Sequence, residues 1–123
     1  MSEAETRRAI EIYRREHETW NIEPLMELFA DDAVWTPAGQ PAMIGRDAVR
    51  AYIEERAANP VKRRMIHLCE IIDGNHAAVE WEVRHLGDDG KWHPYRFGVN
   101  MYEVVDGRIK SLRGYGFAAK QAH

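Results

Sequence analysis

A chain of 123 residues, 45% of them hydrophobic, holds one domain (1–123) with a core of ordinary size. A formal net charge of −3 gives no broad attraction to phosphate backbones or anionic bilayers, which sets nucleic acid and membrane aside as partners. The single cysteine, Cys69, excludes an internal disulfide and points to a reducing compartment; with no apolar run of membrane length and a polar N-terminus, the expected location is cytoplasmic.

Ser2 and Glu5 form a capping box, so a first helix is predicted from about Glu3. Ile10, Tyr13, His17 and Trp20 recur at three- and four-residue spacing and draw its inward stripe. Asn21 caps a short second helix with Leu25, Leu28 and Phe29 inside, ended by Asp31-Asp32. Ala33 to Thr36 is a short strand before the turn-rich stretch Pro37 to Pro41. A third helix runs from near Arg46 to Asn59-Pro60, carrying Val49, Tyr52, Ile53 and Arg56.

Four strands follow, at 65–72, 77–86, 92–104 and 108–117, with turns at Asp73-Gly74-Asn75, Gly87 to Gly90 and Asp106-Gly107. Val79, Trp81, Val83 and His85 share one strand face, and Glu80, Glu82 and Arg84 the other, so the Trp81 face looks inward. Lys62-Arg63-Arg64 reads as a solvated strand edge, and Ala118 to His123 as a fraying end. Helices first and an antiparallel meander second is an α+β plan with the helices on one sheet face.

Three segments in order carry a family likeness: Leu28-Phe29-Ala30-Asp31-Asp32-Ala33-Val34, Gly45-Arg46-Asp47-Ala48-Val49, and Asp106-Gly107-Arg108-Ile109 followed by Leu112-Arg113-Gly114-Tyr115. From about residue 8 to 117 the chain resembles the SnoaL-like and ketosteroid-isomerase-like branch of the nuclear transport factor 2-like superfamily. The resemblance implies a cone-shaped curved antiparallel sheet wrapped around N-terminal helices, a central pocket for a small, largely apolar molecule, and a homodimer through the outer sheet face. It leaves activity open, because this fold hosts isomerases, cyclases, dehydratases, epoxide hydrolases and non-catalytic modules.

Steroid isomerases of this type use a carboxylate base and two oxyanion donors. On this sequence the resemblance places one donor at Tyr13 and the other at Asn100 if the Asp106-Gly107 hairpin is one residue shorter, or at Val99, with the donor lost, if it is not; an asparagine amide donates without any pKa shift. The base position falls on Thr36, which cannot take a proton from carbon. The epoxide-hydrolase triad falls on Val83, Trp81 and Gly114, and the cyclase carboxylate within Gly114 to Gly116, so both sets are absent; the glycines instead leave space for a ligand. A dehydratase-like reading retains His67 as a catalytic histidine, and His17, one turn beyond Tyr13, is a second candidate proton carrier or ligand contact.

Trp81 and Trp35 belong to the aromatic set available as an apolar wall. Arg96, placed opposite Trp81 by a regular hairpin, either stacks on it and binds an anionic ligand group or pairs with Glu80 or Glu82 at the surface. Six histidines lack metal-ligand spacing, and neither metal nor cofactor is implied. Two functions stay open: an isomerase, cyclase or dehydratase acting on a small apolar carbonyl compound, or a binding or dimerisation module with the same pocket and no turnover.

Overall fold

A computed structural model describes residues 2–59 and 61–118, without the Ser2 side chain. The capping box read at Ser2, the stop at Pro60 and the fraying end from 119 to 123 lie outside the described residues; Ala118, read as part of that end, instead closes the last strand opposite Arg96.

Helix α1 (Ser2–His17) buries Ile10, Tyr13 and His17, the expected stripe, together with Thr6 and Ala9. Thr6 Oγ1 donates to the Gly74 carbonyl at 2.9 Å, fastening the helix start to a distant turn. Beyond His17 the Asn21 N–H bonds the Glu16 carbonyl and the Trp20 N–H bonds the His17 carbonyl, at 3.0 and 3.3 Å. These are the two bonds of a Schellman stop, and Trp20 occupies its left-handed position at φ 50°. Glycine is the usual occupant, and a bulky residue there is strained by roughly 1–3 kcal/mol unless its surroundings hold it.

Asn21 takes the N-cap position of α2 (Ile22–Leu28), but its side chain makes no cap bond and turns back to Glu16. Strand β1 (Phe29–Thr36) begins four residues earlier than the sequence pattern indicates, so Asp31 and Asp32 lie within it rather than ending the helix. Both are exposed where the β1 pairing register shifts, and Asp32 meets Lys110 at 2.9 Å. A two-residue strand, β2 (Met43–Ile44), was not legible in the sequence; it pairs back onto β1. Gly45, at φ 89°, then turns the chain into α3 (Arg46–Ala58). Its N–H bonds the Ala33 carbonyl at 2.8 Å, and Arg46 Nη2 reaches the Met26 carbonyl at 2.7 Å, capping the end of α2. The Gly45-Arg46 pair is therefore a splice between two helices and a strand.

Strands β3 (Arg63–Asp73), β4 (His76–Leu86), β5 (Trp92–Val105) and β6 (Arg108–Ala118) form the predicted meander. The six strands make one curved, unclosed sheet in the order β2-β1-β6-β5-β4-β3. Its pairings are antiparallel except that β1 lies parallel to β6, because the chain returns to β1 only after crossing the whole meander. The face carrying Val79, Trp81, Tyr102 and Leu112 packs against the helices, as the alternation in β4 predicts.

The candidate site, an aromatic cavity with three arginines

Between the helices and the sheet lies an open cavity of about 210 Å³. α1 supplies Tyr13 and His17, β1 Trp35, α3 Tyr52 and Arg56, β3 Arg63, β4 Trp81, and β5 Arg96 and Asn100. Trp35 is the hub of the aromatic wall. Its ring stacks on Phe29 at 5.2 Å and receives the edges of Tyr52 and Tyr13 at 5.0 and 5.9 Å. The strained Trp20 lies alongside at 6.4 Å, so the left-handed turn is what swings this indole into the wall.

Tyr13 is 4% exposed, and its hydroxyl makes no hydrogen bond among the described residues. Burial pushes that phenol well above its ordinary pKa, so it remains a donor. Asn100, also buried, donates to the Tyr102 hydroxyl across a long 3.4 Å. His17 stacks on Tyr13 at 4.7 Å, nearly parallel. Arg63 presses Nη2 against His17 Nε2, and since a guanidinium only donates, Nε2 must be the acceptor and the ring proton must sit on Nδ1, facing the Arg14 carbonyl at 3.4 Å. Burial first, and the Arg63 charge second, hold His17 well below the usual histidine range. It is neutral at pH 7, with its lone pair already engaged.

That depression has a sign that can be measured. The folded state resists protonating His17 while the unfolded chain takes the proton near pH 6.5, so its stability cost is absent above that pH and grows as pH falls below it. Between pH 7 and 5.5 the wild type should lose about 1 kcal/mol more than His17→Phe, which keeps a ring on Tyr13 but cannot titrate. Denaturant melts at both pH values check it; parallel profiles for the two proteins would contradict a neutral buried His17.

Six of the eight residues singled out from sequence line this cavity: Tyr13, His17, Trp35, Trp81, Arg96 and Asn100. Thr36 does not. It pairs with Arg113 one residue beyond the inward Trp35–Leu112 pair, which turns it to the outer face. His67 does not either. It lies on the helix side of the sheet but comes up beside Glu11 and Arg14 of α1, away from the cavity. A bulge at Leu68 brings Glu70 onto the same face, where its carboxylate bonds His67 Nδ1 at 2.9 Å.

Arg96 faces inward as one alternative required, yet opposite Val83 rather than Trp81. The turn is one residue longer than a tight Gly87–Gly90 loop, and Tyr95 bulges; two one-residue displacements restore the facing direction. The longer turn also sets His85 opposite His93 and Trp92 opposite Leu86. The predicted solvated edge at Lys62 to Arg64 fails at its middle residue, because Arg63 alternates with the exposed Lys62 and Arg64 and turns inside. That alternation, continued back from the buried Met65, is the signal that would have found it. The space beside β6 is also narrower than two glycines suggest. A Cβ on Gly114 would meet Ala38 and Asn100 at 3.0 and 3.1 Å, and one on Gly116 the Trp81 ring at 3.1 Å.

The SnoaL-like domain model matches residues 7–112, most of the chain. This chain belongs to the SnoaL-like domain family. No curated protein matches the sequence significantly. Among solved structures this SnoaL-like domain is similar to an epoxide hydrolase of the LEH-like type from M. tuberculosis, at TM-score 0.79 and 18% identity over 95% of this chain and 86% of that one. It is also similar to a candidate ketosteroid isomerase from Kribbella flavida, at TM-score 0.74 and 20% identity over 99% and 84%. The epoxide hydrolase/cyclase-like enzyme SalBIII of polyether salinomycin formation aligns at TM-score 0.75 and 19% identity over 94% and 92%. At such identities the likeness carries the nuclear transport factor 2-like fold and leaves the chemistry to the residues. Among the described residues no helix is long and apolar enough to cross a membrane, and no three His, Cys, Asp or Glu side chains converge as metal ligands.

Proposed function

We propose that this SnoaL-like domain binds a small, largely apolar molecule in the cavity, with Tyr13 and Asn100 directed at an oxygen of that ligand. The carrying observation is the buried Tyr13 phenol, set in an aromatic wall with no hydrogen bond to its hydroxyl among the described residues. The hydroxyl opens on the cavity rather than into sealed core, so a ligand oxygen can take the place that water otherwise fills. Binding without turnover is the better-supported reading. No carboxylate lines the cavity, Thr36 stands outside it, His67 is held by Glu70, and the His17 lone pair is covered by Arg63. Isomerase, cyclase or dehydratase chemistry would need a base from among these. The neighbour named as an epoxide hydrolase does not lend its activity to this reading, because the resemblance places such a triad at Val83, Trp81 and Gly114, none of which can do its work.

A phenol that mimics an enolate, titrated against wild type and Tyr13→Phe, tests this reading. Loss of one hydrogen bond should weaken binding about tenfold, roughly 1.4 kcal/mol. No binding to the wild type, or binding indifferent to the hydroxyl, would leave only a dimerisation module. We also propose that the domain is a homodimer through its outer sheet face, measurable by sedimentation. The support is the exposed apolar side chains there: Ile71, Tyr115 and Phe117, 65%, 58% and 61% exposed.

A further inference from the structure

Charge in the cavity is one-sided. Arg56, Arg63 and Arg96 line it, and none of its lining residues is an aspartate or glutamate. Among the described residues none of the three guanidiniums has a carboxylate within ion-pair distance. Arg63 bonds a neutral imidazole, which satisfies a donor but cancels no charge. Arg96 donates to the Ala38 carbonyl at a long 3.5 Å and lies 6.0 Å from the Tyr95 ring centre. Glu18 is the nearby acid, but its Oε2 accepts from the Met65 N–H at 2.6 Å and its Oε1 faces Arg14.

The guanidiniums of Arg56 and Arg63 are fixed rather than free. Arg56 lies 5.0 Å from the Tyr52 ring centre and Arg63 5.0 Å from that of Trp20, so aromatic faces hold both cations. The two repel each other, and the Nε atoms of both are buried with no partner. Two adjacent cations with no anion is an arrangement that burial penalises and a negative ligand group relieves. The remaining polar groups agree. Tyr13 offers a hydroxyl, and the buried Trp81 indole N–H has no partner. Donors greatly outnumber free acceptors.

Resting on the binding reading above, we propose that the ligand is an anion: a small carboxylate bearing one apolar ring, its carboxylate between Arg56 and Arg63 and its ring against the aromatic wall. A planar carboxylate suits the fork of a guanidinium. The volume, about 210 Å³, falls below the roughly 300–1,000 Å³ of sites for drug-sized molecules, which favours one ring over several fused ones.

The test compares benzoate with benzamide, its neutral near-isostere, titrated at pH 7.5 and followed by the indole N–H resonances of the tryptophans. Benzoate should bind at least tenfold tighter than benzamide, as charge-assisted bonds exceed neutral ones by that factor or more. Arg63→Met, which keeps the length of the stem, should bring the ratio towards one. Arg56→Met, in the last turn of α3, should lower the same ratio and serves where Arg63→Met does not fold. Equal binding of the two probes, or a ratio unchanged in the variants that fold, overturns the anion while sparing the binding reading. Binding of neither probe overturns both.

Discussion

Gly98→Ala should lower stability by about 3 kcal/mol or more, the top of the range for overpacking a filled interior. Gly98 sits mid-sheet in β5, between Trp81 of β4 and Gly116 of β6. A Cβ there would stand 2.0 Å from the Tyr115 carbonyl oxygen and 2.7 Å from the Gly116 Cα. Both obstacles are backbone, so no side chain can rotate away and the two strands must part. The requirement is steric, since Gly98 has no positive φ. Facing glycines let β5 and β6 come this close with no side chain between them. For a domain of this size, such a loss should lower the midpoint of thermal unfolding by about 10 °C. Gly114→Ala is the control. Its new Cβ would meet Ala38 and the Asn100 side chain at 3.0 and 3.1 Å, a loop and an amide that can give. A Gly98→Ala protein as stable as wild type would mean that β5 and β6 do not approach this closely.

The same glycines mark the boundary of what the sequence made legible. Face assignments came through wherever a period was uninterrupted: the α1 stripe through Ile10, Tyr13 and His17, and the β4 alternation through Val79, Trp81 and Val83. The hairpin at Asp106-Gly107 also came through, because two consecutive residues at positive φ, 53° and 77°, need that dipeptide or a close relative. Features set by long-range pairing did not. β2 is two residues held by Val34 and Trp35, and the parallel β1–β6 pairing joins segments some eighty residues apart with nothing local to announce it. Bulges are equally silent. At Arg96 a longer turn and the Tyr95 bulge cancelled, so the facing direction survived a wrong partner. At Leu68 one bulge stood alone and delivered Glu70 to His67. Tyr13 and Asn100 are picked out by the resemblance, and both line the cavity. The cationic character stays hidden, because a run of three charges reads as solvated until alternation is applied through Arg63.

Charge placed on the outer sheet face should separate a homodimer into monomers. Tyr115 and Phe117 of β6 pair with Val99 and Phe97 of β5. All four face away from the helices, because Asn100–Gly114 and Gly98–Gly116, the pairs between and beyond them, face the cavity. Phe97 and Phe117 already meet edge to face at 4.2 Å, and Met101, Ala78 and Ile71 extend the apolar row across β5, β4 and β3. A two-fold axis through this face would set the row against its own copy, with Glu80 of β4 lying within it and available to meet Arg113 across the axis, while Glu82 is already paired with Arg84 at 3.2 Å. Aromatic residues central to such a patch commonly each contribute about 2 kcal/mol or more, so Tyr115→Glu with Phe117→Glu should raise the dissociation constant by about 100-fold or more. Both side chains are more than half exposed in the single chain, so the double variant should keep its secondary structure and unfold as a folded monomer does. Sedimentation equilibrium across a concentration series reads the change directly. A wild type that is monomeric at high concentration, or a double variant that associates as tightly as wild type, would leave the outer face without this role.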